Sequence, residues 1–187
     1  MIDAKFLAAV LQNPINVQIL SRMRELALQD CWLVSGALFQ TVWNVVTGRA
    51  PDYGIRDYDI FYFDTDTSWD AENGAIARAE NLFADLNAKI EVRNQARVHL
   101  WYEEKFHLPY PPLLSARDGI DRFLIQNAQV GIRQRRTGFE IYAPKGWADI
   151  EHMIVRPNIT PNFDAGRYLE KASRWKTLWP EITILPP

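Results

Sequence analysis

Two aspartates stand one residue apart in GIRDYDIFYFD, residues 54–64, at the head of an apolar run. On an extended chain the side chains of Asp57 and Asp59 project to one face, with Cα atoms roughly 6.5 Å apart. Carboxylates held that close repel unless a cation lies between them, and their hard oxygens favour Mg²⁺ or Mn²⁺ over softer metals. The two-residue pattern by itself more often marks solvated residues at a strand start or turn, so its neighbours decide the reading. Lys89-Ile90-Glu91-Val92 supplies a third carboxylate among apolar residues, either as an exposed-face Glu or as a third ligand. Ser35-Gly36 sits where an apolar run gives way to a helical pattern, and free backbone N–H groups at such a point favour a phosphate. Turn, paired-aspartate strand and third acidic strand carry more weight together than any of them alone.

The elements that must hold these residues follow from local pattern. Residues 31–34 form a short apolar run, after which Leu38, Val42, Val45 and Val46 recur at helical spacing until Gly48. Residues 58–63 have strong strand preference. Thr67 with Asp70 forms a capping box that opens a helix to about residue 86, and a short strand follows over 89–93. An alternating stretch runs from Arg97 to Tyr102. Beyond the Pro-rich loop at 109–112, Ser115 and Asp118 cap a helix to about residue 125. Residues 128–134 and 139–143 read as a hairpin, helical segments are expected at 4–11, 15–29, 147–154 and 164–178, and the end is Pro-rich. Strands and helices alternate too irregularly for a doubly wound parallel sheet, so the expected class is α+β with a mixed β-sheet and flanking helices, as a single domain over 1–187 with its core at about 31–158.

This order of motifs resembles the nucleotidyltransferase superfamily of the DNA polymerase beta type, and more closely a mostly bacterial, largely uncharacterised family assigned to it. The resemblance rests on SGALFQTVWN, GIRDYDIFYFD, EVRNQARVHLWY, GFEIYAPKGWADI and VRPN, which span most of residues 31–158. It implies a polymerase beta palm-like fold, with Ser35 and Gly36 holding the triphosphate, Asp57 and Asp59 binding Mg²⁺ or Mn²⁺, and Glu91 completing both the metal and the catalytic set. It also implies a nucleoside triphosphate substrate, a hydroxyl acceptor attacking the α-phosphate, and release of pyrophosphate, with Glu91 or Asp59 taking the hydroxyl proton. Where the family usually has Gly-Gly or Gly-Ser, this chain has Ser35-Gly36-Ala37, and its gap from Gly36 to Asp57 is longer than most of the superfamily shows. A noncatalytic nucleotide or metal binder working through a partner is the competing reading.

Other charged residues have plainer explanations. Asp64, Asp66 and Ser68 begin like a calcium loop, but Trp69 takes the place of the required Gly and Ala75 that of the Glu, so turn formation accounts for them. His99, His107 and His152 are far apart and lack zinc-site spacing. Arg97 either neutralises phosphate or forms a structural ion pair. Arg133, Arg135 and Arg136 near a hairpin tip are expected to be solvated. Lys171, Arg174 and Lys176 are expected to face solvent, with Trp175 and Trp179 packed inward. Cys31 is alone, so no intramolecular disulfide forms; it is expected to pack in the core of a protein in the reducing cytoplasm. The N-terminus does not read as a signal peptide, and the uncharged stretch 31–48 is interrupted by polar residues, so no membrane partner is expected. A net charge of -2 gives no broad field for nucleic acid, which leaves any anionic ligand to a local cluster.

Overall fold

In the computed structural model, which describes residues 3–187, β1 (Trp32–Val34), β2 (Tyr58–Tyr62), β3 (Ile90–Asn94), β4 (Gly131–Gln134) and β5 (Phe139–Tyr142) form one sheet in the order β3-β2-β1-β4-β5. The sheet is mixed: β2 and β3 run parallel, while β1 pairs antiparallel with both β2 and β4. The α+β class and the mixed sheet therefore match the expectation from sequence.

The strand period of two sorts β2 cleanly. Tyr58, Ile60 and Tyr62 are buried on one face, while Asp59 and Phe61 point to the other. The first face packs on α1 (Asp3–Val10), α2 (Pro14–Arg22), α3 (Gly36–Val46) and α4 (Trp69–Leu82), whose apolar stripes join Leu33, Ile60, Val92 and Ile132 in the main core. Asn13 caps α2 through its side-chain oxygen, and Pro14 occupies the first helical position, where its missing N–H costs nothing. The second face is only partly covered. There Trp32 and Val34 pack with Ile120 of α6 (Ala116–Asp121), and Phe61 and Phe63 support them.

Several boundaries differ from the sequence reading. The second helix stops at Arg22, gives way to a 3-10 turn over Met23–Leu26, and ends at Ala27 with φ of 53°. Ser68, not Thr67, caps α4, accepting from the Ala71 N–H. The alternating stretch 97–102 is not extended: after a 3-10 turn it becomes α5 (His99–Phe106), which buries Val98 and Tyr102 four residues apart. The helix expected at 147–154 is the short α7 (Ala148–Glu151). The Pro-rich end contains a strand, β7 (Thr183–Ile184), parallel to β6 (Ile154–Val155). Between them runs α8 (Ala165–Leu178), capped by Asp164 and packed through Trp175 on Phe39 and Trp43 of α3.

Candidate functional site

Strand pairing brings the predicted carboxylates onto one face. Asp59 of β2 and Glu91 of β3 are register partners, and Asp57 lies two residues before Asp59. Their proximity shows in the protonation of Asp59, whose carboxyl is pushed up to about 7 by desolvation first, then by the charges of Asp57 and Glu91. Glu91 is at present drawn sideways, pairing with Lys89 and lying 3.8 Å from Arg93. Among the described residues no three of His, Cys, Asp or Glu form a ready-made cation cage. The donor set nonetheless suits a hard divalent cation, because the repulsion among these carboxylates is what such an ion would relieve.

The Ser35-Gly36 turn lies beside this group. Val34 is opposite Asp59 in the β1–β2 register, so the next two residues stand beside the approach to β2. Ser35 has φ 59° and ψ -124°, a backbone region that a non-glycine residue occupies only when its surroundings enforce it. Its N–H donates to Val130 O and its C=O accepts from Leu38 and Phe39, which pins the turn to β4 and to the first turn of α3. Gln40, absent from the sequence reading, belongs to the same place: a Cβ added at Gly36 would lie 3.1 Å from its Nε2. Gln40 is 6% exposed, and its carboxamide makes no hydrogen bond to any described residue.

A cleft of about 340 Å³ opens beside the carboxylates, between β2, β3, α5, α8 and the end of α6. Asp59 and Glu91 line it together with an aromatic wall of Trp101, Tyr102 and Phe106 from α5. Arg122, Arg167 and Lys171 also line it, and no carboxylate lies within ion-pair distance of these three cations among the described residues. Arg167 instead lies 3.7 Å from the centroid of the Phe106 ring and donates to Tyr102 Oη at 3.0 Å. Lys171 is solvent-exposed, as expected, and also lines the cleft. Though its surface is exposed, the neighbouring protein still lowers its ammonium pKa by desolvation, against the opposing pull of Asp59. The readable signal was the spacing of Arg167, Lys171 and Arg174 at i, i+4 and i+7, a row of α8 that flanks the buried Tyr168, Ala172 and Trp175.

Arg97 does not join the site. Its guanidinium is buried against Glu72 of α4, with Nε 3.1 Å from Oε2, and it also donates to Thr67 O at 3.0 Å. Of its two readings the structural ion pair is the one realised, because β3 ends at Asn94 and the following turn carries Arg97 toward α4. Arg133 is likewise not solvated. It pairs with Asp30 at 2.8 Å and with Glu140 at 2.9 Å, and its guanidinium lies 4.1 Å from the centroid of the Trp32 ring. Burial pushes the Cys31 thiol up to about 12, in keeping with a packing role.

A family model described as nucleotidyltransferase matches residues 21–184, a span that holds the turn, both acidic strands and the cationic face of α8. The chain belongs to this nucleotidyltransferase family. A structure solved by NMR and described as revealing a CCA-adding enzyme head domain superposes with a TM-score of 0.79 at 26% identity, covering 100% of this chain and 97% of that one. No curated protein matches the chain. This nucleotidyltransferase thus shares its whole described architecture with a nucleotidyltransferase head domain, and its general chemistry is nucleotidyl transfer. None of its described helices is long and apolar enough to cross a membrane.

Proposed function

We propose that this nucleotidyltransferase moves a nucleoside monophosphate from a nucleoside triphosphate to a hydroxyl acceptor, with Mg²⁺ or Mn²⁺ held by Asp57, Asp59 and Glu91. The observation that carries the reading is the pairing of Asp59 with Glu91 across parallel strands, lining a cleft with three cations that form no ion pair among the described residues. A bound divalent cation would supply Lewis acidity, making the attacking hydroxyl easier to deprotonate and the leaving pyrophosphate easier to expel. The chain's own residues do the rest. The N–H groups at the start of α3 and the Gln40 carboxamide hold the triphosphate at the turn. The acceptor oxygen forms a bond to the α-phosphorus as the bond to the pyrophosphate oxygen breaks. Glu91 or Asp59 takes the hydroxyl proton. Resemblance to a CCA-adding enzyme head domain supports nucleotidyl transfer on this scaffold, since that likeness extends over the whole chain.

The test is pyrophosphate release with each of the common nucleoside triphosphates in the presence of Mn²⁺, alongside the melting temperature with each triphosphate. Asp57→Asn and Asp59→Asn are expected to lower release by at least about a thousandfold while keeping a cooperative melt. Full turnover by either variant would sink the assignment. Absence of any metal-dependent stabilisation by a triphosphate would count against the substrate class, because a ligand that binds only the native state must raise its stability.

A further inference from the structure

Residues 98–114, which carry the aromatic wall of the cleft, are joined to the rest of the molecule by very little. Val98, Tyr102, Tyr110 and Leu113 bury one another, with Phe106 and Leu108 packed against them, in a small core that shares no residue with either of the two cores on the sheet. The unit is stiff in itself. Tyr102 lies 4.6 Å from Phe106 and 4.3 Å from Tyr110 between ring centroids, His107 ends α5 with φ of 56°, and Pro109, Pro111 and Pro112 restrict the segment that returns from it. Beyond neighbours in the chain, the hydrogen bonds of residues 100–113 to other described residues converge on one atom. Tyr102 Oη accepts from Arg167 Nη1 at 3.0 Å and from Asn162 Nδ2 at 3.4 Å. Arg167 also lays its guanidinium against the Phe106 ring, 3.7 Å from the centroid.

We infer that residues 98–114 form a cap that opens and closes over the cleft as a unit, and that Arg167 is the positioning residue that latches it to α8. A segment opens on its own when little apolar surface and few hydrogen bonds tie it to the body, and here the polar ties are one phenol and one ring face. Val98, Trp101, Tyr102, Phe106 and Tyr110 all line the cleft. An open cap therefore removes that whole wall and admits substrate, and a closed one restores it and keeps water from Asp59 and Glu91. Arg167 forms no ion pair with any described residue, so an oxyanion in the cleft can draw on its charge while the same guanidinium keeps hold of Tyr102. Ligand and closed cap then stabilise each other, since each favours the placement of Arg167 that the other needs. The opening of the cap is independent of what binds, whereas its closure on a triphosphate rests on the function proposed above.

Hydrogen exchange followed by mass spectrometry tests both the cap and its latch. Tyr102→Phe removes the latching hydroxyl and leaves the rings in place, and Arg167→Gln removes the cation. Each variant should speed exchange across residues 99–106 at least about tenfold while exchange in β1 and β2 stays as it was and the melting temperature moves by less than about 2 °C. Should one variant melt early, the other carries the comparison. A nonhydrolysable triphosphate with Mn²⁺ at saturation should slow exchange across 99–106 at least about tenfold in the unaltered protein and less than about threefold in Arg167→Gln, a difference that a merely structural role for Arg167 would not produce. Unaltered exchange in both variants would overturn the inference, as would α5 exchanging only together with β1 and β2 when the whole chain unfolds. A triphosphate that raises the melting temperature yet leaves exchange across 99–106 unchanged would equally overturn closure of the cap. If no triphosphate raises the melting temperature, the reading of the turn fails instead, and exchange in the two variants still judges the cap.

Discussion

Asp59 is a carboxyl kept near neutrality by its own neighbours, and this has a measurable cost in the metal-free protein. Burial is the largest cause, and the charges of Asp57 and Glu91 add to it, so the folded group titrates at about 7 against an ordinary value of 3.8. Between those two values the native state holds a proton that the unfolded chain has released. Native stability therefore falls as pH rises through this window, and above it the penalty is constant. Asp59→Asn, which cannot ionise, should raise the melting temperature of the chelator-treated protein by at least about 3 °C at pH 8 and by no more than about 1 °C at pH 4. Equal effects at both pH values would show that Asp59 is not titrating in this window. The same residue explains why the sequence motif alone was ambiguous. A paired aspartate becomes informative only when β3 places Glu91 in register with it, and register is a property of the sheet.

At the scale of elements, the loop before β2 decides whether Asp57 and Asp59 arrive in place. It is anchored by Asn44 of α3, whose Nδ2 donates to Pro51 O at 3.0 Å and Tyr53 O at 2.8 Å while its Oδ1 accepts from Trp179 Nε1 at 2.7 Å. Asn44 is fully buried, so its loss removes a donor from two part-buried carbonyls and strands the buried Trp179 indole N–H. Asn44→Leu should cost about 3 kcal/mol in urea denaturation, and transfer activity should fall in the fraction that stays folded, because the loop no longer delivers the aspartates. A cost under about 1 kcal/mol would mean that the loop is held by other contacts. These elements were legible to different degrees. The turn, β2, β3 and the hairpin follow from side-chain period and turn residues. In α5 the pattern misleads, since Arg97 to Tyr102 alternates like a strand, and the helical spacing emerges only when Val98, Tyr102 and Phe106 are counted together. The aromatic wall was hidden for a related reason: Tyr102 and Phe106 meet Arg167 across about 60 residues of chain, a contact that no local window contains.

For the molecule as a whole, α8 does two jobs on adjacent faces, and the segment after it fastens both. Its inner face buries Tyr168, Ala172 and Trp175, the last edge-on to Phe39 and Trp43. Its outer face carries Arg167 and Lys171 into the cleft. Trp179, fully buried, closes the arrangement by packing on Trp43 at 5.6 Å and on Tyr53 at 6.0 Å. Gly54 leaves room for it, since a Cβ there would come 3.1 Å from the indole. Tyr168 Oη donates within hydrogen-bond reach of both Val155 O and Leu185 O, tying α8 to β6 and to the segment after β7. The cationic side of the cleft is thus fastened at a distance from the carboxylates it serves. Removing residues 179–187 deletes Trp179 and β7 together, and a single buried aromatic of this size costs about 3–5 kcal/mol when truncated. The shortened chain should lose hydrogen-exchange protection along α8 before it loses protection in β1 and β2, and its affinity for a nucleoside triphosphate should fall at least tenfold. Retained protection across 165–178 would show that the packing of Trp175 on α3 holds the helix without help from the chain's end.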